Sequence, residues 1–174
     1  ASPTAILLGA STTLSASVLQ HAGALAPTAY AWSFGDGSPT TTTPTSSTSH
    51  AYTTPGSFSA SVTATDGTVS GTASTPVTVV TGIPVVSVSC STGIRAGAAS
   101  SCNVSATLAS VIVPSAAITS VTWDFGDGVT VSASGNVSPA HVYVTSATFT
   151  VVAIARVAGG TGPGTGTTTT TILP

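Results

Sequence analysis

The hexapeptide Trp32-Ser-Phe-Gly-Asp-Gly37 returns as Trp123-Asp-Phe-Gly-Asp-Gly128, and His50-Ala-Tyr52 and His141-Val-Tyr143 follow the two copies at the same distance. Trp32 and Trp123, Asp36 and Asp127, His50 and His141, Tyr52 and Tyr143, and Phe58 and Phe149 are each 91 residues apart. Five landmark pairs without a gap mean one unit written twice. A period of this size is that of a single β-sandwich domain, well beyond the 20 to 50 residues of a solenoid repeat. The chain is therefore expected to fold as two similar modules in tandem.

Strand patterning agrees with that class. Phe58-Ser-Ala-Ser-Val-Thr-Ala64 and Phe149-Thr-Val-Val-Ala-Ile-Ala155 place every second side chain on one face, and so does Val121-Thr-Trp123. Leu14-Ser-Ala-Ser-Val18 reads as a strand too, with Val104-Ser-Ala-Thr-Leu108 as its counterpart. Gly-Asp-Gly and Thr54-Pro-Gly56 are turn signals. The last strand of the first module is Thr75-Pro-Val-Thr-Val-Val80, and the threonine run Thr167 to Thr171 takes its place in the second.

Charge narrows the function classes. Only 3% of the residues are charged, against about 25% in an average protein. Arg95 and Arg156 are the sole basic side chains apart from the histidines, and two arginines cannot neutralise a run of phosphates. Nucleic acid is excluded as a partner. No apolar run approaches the 18 residues of a membrane-spanning helix. The polar surface must instead be hydroxyl, from 34 Thr and 27 Ser, which favours strands over helices. A nearly uncharged surface lacks the repulsion that keeps molecules apart, so it suits a chain packed into a polymer or coated with glycan.

Cys90 and Cys102 are the only cysteines, and in a Ser/Thr-rich all-β chain they are expected to form a disulfide after export. Thr81-Gly-Ile-Pro84 is a short, stiff joint between the modules. Ile94-Arg-Ala-Gly97 matches Ile6-Leu-Leu-Gly9 at an offset of 88. In the second module that segment follows an apolar strand, Pro84-Val-Val-Ser-Val-Ser-Cys90, whose counterpart in the first would fall largely before Ser2. The first module is therefore expected to lack a complete first strand, which leaves a sheet edge open to strand addition.

Trp-x-Phe-Gly-Asp-Gly followed by His-x-Tyr, twice in register, resembles the PKD (polycystic kidney disease) domain. The resemblance rests on Tyr30 to Gly37 with His50, Tyr52, Pro55-Gly56 and Phe58, and on Val121 to Gly128 with His141, Tyr143 and Phe149. The second copy departs from it slightly: Pro-Gly is missing before Phe149, and Val157 stands where the first copy has Asp66. The resemblance implies an all-β chain of two tandem immunoglobulin-like (PKD-type) β-sandwiches, residues 1–82 and 83–174. It also implies an extracellular or cell-surface, non-catalytic module used for spacing, adhesion or contact with protein or carbohydrate.

Each motif residue has a structural role to fill. Trp32 and Trp123 suit the centre of a small core, with Phe34 and Phe125 beside them. The carboxylates of Asp36 and Asp127 can cap their turns, and His50, Tyr52, His141 and Tyr143 need partners for their polar tips. No Asp-x-Asp-x-Asp-Gly loop supports calcium, and no Gly-x-Ser-x-Gly elbow supports a hydrolase triad; His21 has no recognisable partner. No catalytic, cofactor or metal residue is assigned. The tract Ser38 to Ser49 is of the type that carries O-glycans, with Thr40, Thr41, Thr42, Thr43 and Thr45 as acceptors. The only asparagines, Asn103 and Asn136, both lie in Asn-x-Ser sequons. The expected function is a subunit of a glycosylated surface layer or extracellular filament, with copies of itself as partners and head-to-tail strand addition as the joint. The alternative is a spacer or binding module of a larger secreted enzyme or adhesin.

Overall fold

Alternation of Val, Ala and aromatic residues with Ser and Thr gives each strand one apolar face, and pairing those faces builds the sandwiches. The computed structural model describes residues 1–19 and 25–174. They form two compact units, Ala1–Val80 and Thr81–Pro174. Strands dominate, and the only helical element among the described residues is a single 3-10 turn at Ser115–Ala117.

The first unit contains β1 (Ala5–Leu7), β2 (Ser11–Ser15), β3 (Ala29–Ser33), β4 (Thr41–Thr43), β5 (Ser47–Ala51), β6 (Gly56–Thr65) and β7 (Ser70–Val80). One sheet has the order β1-β7-β6-β3-β4, and the other is the pair β2-β5. The core between them is built from Ile6, Leu14, Trp32, Phe34, Tyr52, Ala60, Val62, Val77 and Val79.

The second unit contains β8 (Val85–Cys90), β9 (Ile94–Arg95), β10 (Ala99–Leu108), β11 (Val111–Ile112), β12 (Ile118–Asp124), β13 (Thr130–Ser134), β14 (Ala140–Val142), β15 (Thr148–Val157) and β16 (Gly164–Leu173). Its larger sheet runs β13-β12-β15-β16-β9, and β10 collects β8, β11 and β14 into the other. Cys90 lies opposite Cys102 in the β8–β10 ladder, and the two are joined by a disulfide. The threonine run belongs to β16, where the buried hydroxyl of Thr170 donates to the Ser91 carbonyl at 2.7 Å.

The structure departs from the sequence reading in two places. Of Leu14 to Val18 only Leu14 and Ser15 belong to β2, and Ala16 to Leu19 continue outside any strand. The offset also changes. Thr12 pairs with His50 and Ser100 with His141, so Leu14 corresponds to Cys102, at 88 residues. Val104 instead answers to Ala16. The tract from Ser38 to Ser49, to which the sequence reading assigns no strand, includes β4 and most of β5. Threonine suits strands as well as loops, and here Thr41–Thr43 completes a sheet by pairing with Tyr30–Trp32.

Candidate functional site

Both copies of the motif fold into the same side-chain cluster. Gly-Asp-Gly turns the chain out of β3 or β12 and aims the Asp carboxylate at the histidine of the facing sheet. His50 Nε2 lies 2.7 Å from Asp36 Oδ2, and His141 Nε2 lies 2.7 Å from Asp127 Oδ2. An ionised carboxylate only accepts hydrogen bonds, so Nε2 carries the proton in each pair. Phe34 stacks on His50 with ring centroids 3.8 Å apart, and Phe125 on His141 at 4.1 Å. Tyr52 and Tyr143 meet the imidazoles edge-on, and their hydroxyls donate to the Phe34 and Phe125 carbonyls at 3.1 Å. Trp32 Nε1 donates to Thr43 Oγ1 at 3.0 Å, and Trp123 Nε1 to the Val137 carbonyl at 3.1 Å.

These clusters join the two sheets of each sandwich. Each histidine Nε2, tyrosine hydroxyl and tryptophan Nε1 has a hydrogen-bond partner in or beside the cluster, and among the described residues no three His, Cys, Asp or Glu side chains converge. Burial works against the Asp36 carboxylate, but hydrogen bonds from Ser38 and His50 outweigh it and hold the group at about 2, below its ordinary 3.8. Asp127 is lowered in the same way by His141 and the Val129 amide. Burial, with the Asp127 charge adding to it, pushes the Tyr143 phenol up to about 12.

A pH prediction follows from the Asp36 shift. A carboxyl lowered by folding contributes stability above its unfolded pKa and loses that contribution as pH falls from 3.8 towards 2. Asp36→Asn should cost the first sandwich about 2 kcal/mol at pH 7, and the gap from the parent should close by pH 2. Denaturant unfolding of both proteins across that range checks it. A gap unchanged at pH 2 would assign the effect to packing instead of charge.

The second feature is an open face. In the second unit β8 pairs with β10 from Val85–Thr107 to Cys90–Cys102, and its buried Val86 crosses the small residues of β16. A Cβ added at Gly164 would run into the Pro84 carbonyl oxygen, and one at Gly166 would lie 2.6 Å from the Val86 oxygen. Among the described residues of the first unit, the corresponding edge of β2 carries only an isolated bridge, Ser2 to Thr13. The ladders place Gly71 opposite Ala64 and Ala73 opposite Val62, as Gly164 lies opposite Ala155 and Gly166 opposite Ala153. Gly164 and Gly166 are buried, whereas Gly71 and Ala73 are exposed. Between β2 and β7 lies a groove of about 840 Å³, with Trp32, Ala60, Val62 and Ala64 along it and Leu14 to Leu19 on its rim.

Sequence reasoning singled out the motif residues and expected the first module to lack a complete first strand, but it did not anticipate the groove. Its only sequence signal is the run of small residues Gly71-Thr-Ala73, which answers to Gly164-Thr-Gly166. Among the glycan acceptors, Asn136 and Asn103 are both exposed, and Ser138 Oγ donates to Asn103 Oδ1 at 3.3 Å. Thr40, Thr41, Thr42 and Thr45 are exposed as well, while Thr43 is half-buried and its hydroxyl donates to the Thr45 carbonyl at 2.7 Å. His21 lies outside the described residues. No helix among the described residues is long and apolar enough to cross a membrane.

The sequence model of the PKD domain matches residues 2–81 and again residues 84–172. No curated protein matches the chain. Among solved structures it is similar to the fibronectin(III)-like modules of Clostridium thermocellum CbhA, at 14% identity over 98% of this chain and 91% of that one, with a TM-score of 0.40. It is also similar to the amphioxus IgVJ-C2 molecule, at 13% identity over 98% and 99% of the two chains, with a TM-score of 0.36. A chimeric titin Z1Z2-Z1Z2 tandem functionalized with an exogenous GRGDS peptide from fibronectin shows 16% identity over 98% and 94%, with a TM-score of 0.31.

Proposed function

This chain belongs to the PKD domain family, in two tandem copies, and from that premise we propose that it is a non-catalytic structural subunit of a glycosylated extracellular or cell-surface filament. Copies join head to tail, and a strand from one completes the first sandwich of the next. The observation that supports this reading is the asymmetry between the repeats: β10 has strands on both edges, whereas among the described residues β2 pairs with β5 on one edge and has only the Ser2–Thr13 bridge on the other. An open edge beside an apolar face is where a sheet extends by β-augmentation. A head-to-tail contact that does not close into a ring gives a fibre.

Charge and chemistry support the same reading. With 3% charged residues, neighbouring copies meet without repulsion, and the hydroxyl surface suits close packing. The disulfide fits an oxidising compartment. Exposed Asn103 and Asn136 and the exposed threonines of the 38–49 tract are the proposed glycan acceptors.

Electron microscopy of undenatured protein from its native source tests the proposal, with peptide mass mapping on the same material. Regular filaments with a two-sandwich repeat are expected, and glycan mass on the peptides that carry Asn103, Asn136 or the threonines of the 38–49 tract. Dispersed particles, or this segment seen as an arm on a larger catalytic body, would sink the filament and leave a spacer module.

A further inference from the structure

We infer that the groove between β2 and β7 is a strand-acceptor site whose partner is an extended, uncharged segment of another polypeptide, with small β-branched side chains at alternate positions, running antiparallel to Ser15–Leu19. The inference rests on the filament reading for the source of that segment and on the internal repeat for its chemistry.

The second sandwich shows what such a groove holds. There β8 lies opposite Asn103–Thr107, the stretch that corresponds to Ser15–Leu19 at the 88-residue offset fixed by the histidine pairs. Its inward residues are Pro84, Val86 and Val88, and its outward ones are Val85, Ser87 and Ser89. Small inward residues are needed because the strand's backbone rides directly on Gly164 and Gly166. In the first sandwich the corresponding positions are Gly71 and Ala73, and no strand of the described residues lies over them. A Cβ at Gly71 would meet nothing within 4 Å, and Val18 is 43% exposed where its counterpart Ala106 is 3% exposed. The acceptor thus takes a Val-x-Val backbone over Gly71, and the Ala73 methyl, where the second sandwich has Gly166, holds that backbone farther from β7 than β8 lies from β16. Long side chains would not fit beneath it, and a buried charge would find no partner there.

The chain carries its own probe. A synthetic peptide of residues 83–89, Ile-Pro-Val-Val-Ser-Val-Ser, is titrated into the 174-residue protein by calorimetry, and thermal unfolding is recorded with and without it. Saturable one-to-one binding is expected, with a raised midpoint for the first sandwich only. The same peptide carrying Val86→Asp and Val88→Asp should not bind. Gly71→Val should leave the free protein folded, because the added side chain meets open space, yet weaken peptide binding roughly tenfold or more by overpacking. No saturable binding, or binding indifferent to both changes, overturns the inference.

Native filaments separate this inference from the reading beneath it. Filaments whose first sandwich has an empty groove would overturn the acceptor and leave the polymer standing. A groove filled by a segment of its own chain would overturn the intermolecular partner. Peptide binding by a protein that is dispersed in its native source would sink the polymer and keep the acceptor.

Discussion

Gly126→Ala is expected to remove about 4 kcal/mol from the second sandwich, and Gly35→Ala a similar amount from the first. Two costs add at each site. Gly126 has φ of +78° and Gly35 of +77°, a conformation that costs an L side chain roughly 1–2 kcal/mol. The larger cost is steric. The ideal Cβ at Gly35 would lie 2.5 Å from the Ser59 carbonyl oxygen and 3.0 Å from its amide nitrogen, and the one at Gly126 would run into Thr150 in the same way. Both obstacles are backbone atoms of a central strand, so no rotamer change relieves them. The outer glycines of the motif are the internal control. Gly37 and Gly128 also have positive φ, at +85° and +93°, but a Cβ there meets nothing within 4 Å. Their alanine variants should cost only about 1 kcal/mol. Denaturant midpoints of the four variants measure the contrast, and equal losses at inner and outer positions would refute the steric account.

The same contrast marks how far the sequence could be read. Trp-x-Phe-Gly-Asp-Gly and His-x-Tyr were legible because each residue meets a fixed geometric need, but the Asp36–His50 and Asp127–His141 pairs were not: the carboxylates read as turn caps, and only the fold brings the facing sheet's histidines to them. The strand around Leu14 was misaligned for a physical reason. Leu14-Ser-Ala-Ser-Val and Val104-Ser-Ala-Thr-Leu both alternate large or small apolar residues with hydroxyls. A slip of two residues leaves every side chain on its face, so patterning alone cannot reject it. Only the ladder that pairs Thr12 with His50 and Ser100 with His141 fixes the register. β4 and β5 were hidden because threonine and serine carry no hydrophobic period, and their strand character comes from the neighbours they pair with. The groove was legible only as a strand that could not be found. Its walls, Ala60, Val62 and Ala64, read as ordinary core until the second sandwich shows what covers their counterparts.

Replacing both Cys90 and Cys102 by serine should lower the stability of the second sandwich by roughly 3 kcal/mol, the chain-entropy value for a loop of this size. For a domain of this length that is a fall on the order of 15 °C in its unfolding midpoint, while the first sandwich should keep its own. The asymmetry has a structural source. Leu14 stands where the second sandwich has Cys102, and it is 2% exposed, so it packs the position without tying an edge strand to it. In the second sandwich the bond fastens β8 to β10 at one end, and Val86 and its neighbours hold the rest against Gly164 and Gly166. The strand is thus covalently retained in one repeat, and its place is open in the other. Scanning calorimetry of the double variant, or of the parent under reductant, separates the two holds. A shift below about 1 kcal/mol would mean that packing on the glycines retains β8 by itself. By the same logic, a strand supplied from outside needs no covalent tie to complete the first sandwich.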